Sequence, residues 1–263
     1  MVKVLTVKEK NNINLYLVGD IHVGVKTCDK KALLKTIDVI AKDKLARVIL
    51  MGDMGDYVDN DDTRRYNCFN VDTQINSVDK QVEWLIKQFN RINSKIYGIL
   101  RGNHEATYAK YHQEYFQKLK VRDFAELMCK ELKTTYLEDM GIVKLTVGKY
   151  KYNLVVAHGT GSGSTVAGQV RTLNNIIKGF DVVPDIVAMG HVHALQTILN
   201  PKMDFGFNTK VKHLALTGSY YKTYIQGNIN YASSNLYNPL PIGCVMYNLT
   251  KDGTITDNKI IFE

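Results

Sequence analysis

The chain has 263 residues, 45% hydrophobic and 23% charged, a balance that excludes disorder and suffices for a substantial core in one α/β domain. Its 34 Lys and Arg against 26 Asp and Glu leave a net charge of +8, which favours anionic partners such as nucleic acid or nucleotides, although a solvated, lysine-rich surface accounts for it equally well. Cys28, Cys68, Cys129 and Cys244 form no Cys-x-x-Cys pair, residues 1–10 lack a signal-peptide core, and no run of about 18 apolar residues occurs. A zinc knuckle and a membrane span are thereby excluded, and four free thiols in a reducing cytoplasm are expected.

In chain order, the first strand is predicted at 14–18 and ends on Gly19-Asp20-Ile21-His22. A helix follows over Lys30–Lys42, with Leu33, Leu34, Ile37 and Ile40 at helical spacing. The apolar run 47–51 reads as a strand and stops at Gly52-Asp53-Met54-Gly55-Asp56. The polar stretch beyond it, to Val71, contains Asp59, Asn60, Asp61, Asp62, Arg64 and Arg65; it is either a substrate-contacting loop or a plain surface excursion. A helix at 78–93 and a strand at 95–100 lead to Arg101-Gly102-Asn103-His104-Glu105, and the pattern over 111–133 is helical again. Strands at 143–147 and 152–157 pair around Gly148-Lys149, and the second delivers His158-Gly159. A Gly/Ser loop (Gly159-Thr160-Gly161-Ser162-Gly163-Ser164) precedes a helix at 169–179, and strand Ile186–Met189 delivers Gly190-His191-Val192-His193. Strands at 212–216, 244–248 and 254–262 give the C-terminal part, 205–263, a β-rich character beside the motif core 14–195.

Five of the seven histidines thus fall in four of five short islands, each island directly after an apolar strand. In α/β folds ligands bind outside the carboxyl ends of strands, so the islands can converge on one site. Asp20-x-His22 and His191-x-His193 would each present both side chains to one cavity if extended. Asp, Asn and His suit first-row divalent ions, and there are enough of them for two. Two adjacent ions can clamp both the attacking and the leaving oxygen of a phosphoryl displacement. His112 and His213 lie outside the islands and read as structural.

The ordered set Asp-x-His, Gly-Asp-x-x-Asp, Gly-Asn-His-Glu, His and Gly-His-x-His, spanning residues 19–193, resembles the calcineurin-like metallophosphoesterase superfamily. The resemblance implies a four-layer α/β/β/α sandwich. It implies one metal bound by Asp20, His22, Asp53 and His193, and a second bound by Asp53, Asn103, His158 and His191. By the same resemblance Asp53 would bridge the two ions together with a hydroxide that attacks phosphorus. His104 would then protonate the leaving group as general acid, and the resemblance gives Asp56 the task of orienting its imidazole. The cofactor is two divalent ions, manganese first, with Fe, Zn, Co, Ni or Mg also suited. A second register, with Asp56 bridging and Asp59 orienting, also fits Gly-Asp-x-x-Asp, but the strand ends directly before Gly52 and favours Asp53.

The island around His104 is also close to the protein Ser/Thr phosphatase version, in which an Arg that grips the phosphate follows Gly-Asp-x-x-Asp. Here that position is Tyr57, or Asn60 in the other register. A monoester dianion gains most from a guanidinium fork. The substrate expected is therefore a phosphodiester, in nucleic acid or a nucleotide, with Arg101, Tyr57, Gly159 and Thr160 as candidate substrate contacts. A phosphomonoesterase is the alternative, and a non-catalytic metal-binding scaffold is the rival from another class. Tyr220, Tyr221 and Tyr224 could stack on bases, and ordinary sheet packing explains them too.

Overall fold

A computed structural model describes residues 2–59, 62, 66–161, 165–181 and 184–262. Asn60, Asp61, Arg64, Arg65 and Ser162 to Ser164, singled out in the sequence, lie outside the described residues. The chain runs β1 (Lys3–Glu9), β2 (Ile13–Val18), α1 (Lys30–Lys42), β3 (Ala46–Leu50), α2 (Val78–Phe89), β4 (Ile96–Leu100) and α3 (Asn103–Tyr111). It continues through α4 (Gln113–Leu119), α5 (Phe124–Leu132), β5 (Thr135–Glu138), β6 (Met140–Val147), β7 (Tyr150–Ala157), α6 (Val166–Ile177) and β8 (Ile186–Met189). The last third adds β9 (Leu195–Met203), β10 (Thr209–Thr217), the short α7 (Tyr231–Ser234), β11 (Ile242–Leu249) and β12 (Ile255–Phe262).

The strands form two six-stranded sheets, in the orders β12-β11-β2-β3-β4-β5 and β1-β6-β7-β8-β10-β9. Alternation of side chains along each strand explains why the sheets stack. Leu17, Ile49 and Val245 of the first sheet are buried with Val143, Leu154 and Ala188 of the second. The other face of the first sheet, through Val18, Leu50 and Ile99, packs on Leu33 of α1, Leu85 of α2 and Phe124 of α5. The far face of the second sheet, through Val187, Met189 and Leu214, packs on Leu173 and Ile177 of α6. Burying one such side chain contributes about 1.5–3 kcal/mol. The result is the four-layer α/β/β/α architecture.

Parallel register brings the strand ends level: Val18 pairs with Leu50, Leu50 with Ile99, and Ala157 with Met189. The five islands therefore leave the sheets at C-terminal ends, three from one sheet and two from the other. The two come from β7 and β8, which pair with each other in the second sheet.

The helix expected over 111–133 is two helices, α4 and α5, with α3 ending at Tyr111. His112 leaves helical geometry (φ −123°, ψ 43°), Lys120 is left-handed (φ 54°), and Asp123 starts α5 by accepting from the Glu126 N–H at 2.9 Å. The helix expected over 78–93 is α-helical to Phe89 and continues as a 3-10 helix over Asn90–Lys95, kinked at Ile92. No helix among the described residues is long and apolar enough to cross a membrane. The four cysteines are free, three of them buried.

Candidate metal centre

The backbone does not stay extended after the strands. Asp20 (φ 49°), His22 (φ 52°), Asp53 (φ 49°), His191 (φ 67°) and His193 (φ 58°) are all left-handed. The expectation of extended i, i+2 pairs is therefore corrected, because each loop curls at once. Such a conformation costs about 1–3 kcal/mol per residue unless its surroundings hold it. Here they do. Asp20 N–H donates to Gly52 O (3.0 Å), while Ile21 and His22 N–H both donate to Asp53 O (2.8 and 3.1 Å). The Asp20 carboxylate accepts from His191 N–H at 2.9 Å, and Asp53 Oδ1 accepts from His104 N–H at 2.9 Å. Four islands are thus laced together through main chain.

Glu105 is the residue whose part the sequence did not reveal. Fully buried at the third position of α3, it accepts from Gly102 N–H (3.0 Å), Asp53 N–H (3.1 Å) and Met54 N–H (2.9 Å). It clamps the second island to the third. The only sequence signal was a Glu three residues into a helix start, the capping-box position. Gly52 (φ 87°) makes the close approach possible: a Cβ there would lie 2.7 Å from Gly102 N and 2.8 Å from His158 Nδ1.

The side chains form two neighbouring sets of donor atoms. Asp20, His22 and His193 make one, with His22 Nε2 3.1 Å from His193 Nε2 and His193 Nε2 3.5 Å from Asp20 Oδ1. Asp53, His158 and His191 make the other, joined by Asn103 Oδ1 at 3.0 Å from His158 Nε2 and 2.7 Å from His191 Nδ1. Asp53 Oδ2 lies between the sets, 3.2 Å from His158 Nε2 and 3.9 Å from His22 Nε2. His158 donates its Nδ1–H to Met51 O at 2.8 Å, which turns Nε2 inward, the usual way a ligating imidazole is fixed.

Beside the first set stands a third group, His22, Asp56 and His104. His104 donates Nδ1–H to the Asp56 backbone carbonyl (2.7 Å), with the Asp56 carboxylate 3.6 Å away. The His22 and His104 rings meet edge to face at 4.6 Å. Asp59, the orienting residue of the second register, instead accepts from Tyr108 OH at 2.8 Å.

Burial makes the centre electrostatically incomplete. It pushes Asp20 up to about 8, with the Asp53 charge adding to the effect. Burial opposes charge on His158, yet the adjacent Asp53 carboxylate outweighs it and raises that imidazole to about 10. Asp53 is itself held well below the usual carboxylate range, since the imidazoles of His158 and His104 overcome burial. Burial and neighbouring imidazoles depress His191 and His193. Glu105 is pushed up to about 7 by burial and by Asp53. Protons thus compensate buried carboxylates where a cation would do so better. Imidazole nitrogens facing one another at 3.1 Å, with carboxylate and amide oxygens around them, suit first-row divalent ions.

Three expected substrate contacts are engaged or placed otherwise. Tyr57 is fully buried and stacks on Phe124 (4.7 Å between rings), so it is a core residue. Arg101 forms a two-pronged pair with Asp139 (2.7 and 2.8 Å), which leaves its guanidinium turned to that carboxylate. Tyr220 is buried, with its OH donating to Thr36 Oγ1 at 2.8 Å, whereas Tyr221 lies beside the centre, 5.5 Å from the His22 ring and 5.6 Å from that of His193. Gly159 and exposed Thr160 continue directly from His158. His112 stacks on Tyr108 and His213 is buried in the second sheet, as expected of structural histidines.

The profile of the calcineurin-like phosphoesterase family matches residues 13–195. No curated protein matches the chain by sequence. Among solved structures it is similar to a Vps29 single mutant from Entamoeba histolytica (13% identity, TM-score 0.42, 95% of this chain and 100% of that one). It is also similar to Chaetomium thermophilum Vps29 (10%, TM-score 0.43, 95% and 98%). A predicted phosphoesterase from Streptococcus pneumoniae TIGR4 is a further such structure (11%, TM-score 0.35, 95% and 98%).

Proposed function

The chain belongs to the calcineurin-like phosphoesterase family, and from that premise we propose that it hydrolyses phosphodiesters at a two-cation centre. Asp20, His22, Asp53 and His193 would hold one ion, and Asp53, Asn103, His158 and His191 the other, with manganese the first choice. The observation that carries this reading is Asp53 Oδ2, buried between two sets of inward-facing imidazoles. Two divalent cations bound there would supply Lewis-acid charge to the phosphate oxygens and lower the pKa of nearby water.

The chain's own residues do the rest. His104, with Nδ1–H committed to the Asp56 carbonyl, keeps Nε2 to deliver a proton to the leaving oxygen. Burial disfavours its charged form, but Asp53 and Asp56 outweigh that and raise its pKa, so it holds the proton it is to give. The Asp56 carboxylate steadies the ring. Glu105 keeps Asp53 and Gly102 in place through three N–H groups.

A diester in nucleic acid or a nucleotide is favoured over a monoester by the net charge of +8. Tyr57 in the core and Arg101 tied to Asp139 point the same way, since a dianionic monoester gains most from a free guanidinium fork. A cytoplasmic setting accords with four free thiols. With manganese, bis(p-nitrophenyl) phosphate is expected to be hydrolysed faster than p-nitrophenyl phosphate; strong preference for the monoester would overturn the diester assignment.

A further inference from the structure

Next to the centre, two segments build a wall of unusual composition. Residues 220–241 contain five of the chain's sixteen tyrosines, one lysine and no acidic residue, against 26 acidic residues overall. Residues 66–71 are uncharged. Hydrogen bonds join the two: Asn67 Nδ2 donates to Ile229 O (2.6 Å) and Asn228 Nδ2 to Phe69 O (3.1 Å). Asn230 knits the longer segment together. Its Oδ1 accepts from Ser233 N–H (3.0 Å) and from Tyr221 OH (3.3 Å), and its Nδ2 donates to Thr223 O (3.1 Å).

This scaffold holds aromatic rings and an aliphatic side chain out in solvent. Phe69 is 67% exposed, Ile229 66% and Tyr231 71%, and the Tyr231 and Tyr237 rings meet at 5.8 Å, nearly perpendicular. Position relative to the chemistry is fixed at both ends. Tyr221 contacts the rings of His22 and His193 while its OH reaches Asn230, the residue before Tyr231. On the other side, Asn67 and Asn70 share a cavity of about 30 Å³ with Asp56. Aromatic faces held by an amide network lose little freedom on binding. The two segments themselves carry no acidic residue, which lessens repulsion of a polyanion and offers nothing to a basic peptide. Stacking on tyrosine needs a base face, which a duplex hides and a single strand exposes.

We propose that this wall is a stacking platform for single-stranded nucleic acid, with Tyr231 and Tyr237 receiving bases near the phosphate held at the centre. The assignment rests on the phosphodiesterase reading above and names its substrate class.

The test measures anisotropy of a fluorescein-labelled oligothymidylate with the full chain in metal-free buffer, alongside manganese-dependent cleavage of the same strand. Tyr231→Ser combined with Tyr237→Ser is expected to raise Kd about tenfold per tyrosine. The ratio of oligonucleotide to bis(p-nitrophenyl) phosphate turnover should fall to match. Phe205→Ser, at an exposed hairpin tip on another part of the surface, should bind as the wild type does. Unaltered binding by the double variant, or a duplex bound as tightly as the single strand, would overturn the platform. If the wild type hydrolyses bis(p-nitrophenyl) phosphate but neither binds nor cuts the oligonucleotide, the platform fails and the phosphodiesterase reading stands. If no phosphodiester is hydrolysed under any divalent metal, that reading fails as well.

Discussion

Replacing Gly52 with alanine should damage the centre without touching any residue that carries chemistry. Gly52 sits at φ 87°, where an alanine costs about 1–2 kcal/mol. The added Cβ would also lie 2.7 Å from Gly102 N and 2.8 Å from Gly102 Cα and His158 Nδ1, against 3.4 Å for ordinary contact. Neither neighbour retreats freely, because Gly102 N–H is held by Glu105 and His158 Nδ1 by Met51 O. Overpacking of this kind costs about 1–3 kcal/mol. Together the two effects amount to about 2–5 kcal/mol, roughly 4–10 °C in Tm at about 2 °C per kcal/mol for a chain of this size. A displaced His158 should lower kcat further, since about 1 Å of misplacement costs on the order of 100-fold. The assay pairs thermal unfolding with manganese-dependent bis(p-nitrophenyl) phosphate hydrolysis. Gly179→Ala, where an added Cβ meets nothing within 4 Å, serves as control and should change stability by less than about 0.5 kcal/mol. Wild-type Tm and kcat in Gly52→Ala would refute the reasoning.

Three further outcomes are expected. His104→Ala should lose about 10²- to 10⁴-fold in kcat while metal content, read by elemental analysis, stays at the wild-type level; loss of metal would make His104 a ligand instead. Tyr57→Phe removes a buried hydroxyl with no well-formed hydrogen bond among the described residues, so denaturant unfolding should show equal or slightly higher stability, by up to about 1 kcal/mol. A fall in activity of that variant would return Tyr57 to the substrate. Burial depresses His213 below its ordinary 6.5, against the pull of Asp257 and Asp185, so the unfolded chain takes this proton more readily. Its contribution to stability is full above about pH 6.5 and is lost as pH falls toward the folded value. Tm measured from about pH 5 to 8 should therefore decline less on the acid side in His213→Gln, and an unchanged slope would exclude the effect.

The islands were legible in the sequence because each pairs a ligand-type side chain with a strand end, and a strand's end is a local property. Helix α1 and strands β3, β4 and β8 followed in the same way from short apolar periods. Strand β1 was missed because, on a sheet edge, its residues alternate between exposed and half-buried and carry three lysines or glutamates in seven. Strand β9 was missed for a similar reason, with Pro201 and Lys202 inside an edge strand. The fates of Tyr57, Arg101 and Tyr220 depended on Phe124, Asp139 and Thr36, partners 38 or more residues away that no local pattern announces. The curl at Asp20 and His22 was equally hidden: Asp53 O and Gly52 O hold it, and both come from another strand.

Counting metal is the most direct test of the two-cation centre. Wild-type chain loaded with manganese and freed of excess is expected to retain two ions and hydrolyse bis(p-nitrophenyl) phosphate. Asp53→Ala, which removes the carboxylate lying between both sets of imidazoles, is expected to lose metal and activity together. No more than one ion in the wild type, or full activity and metal in Asp53→Ala, would contradict it.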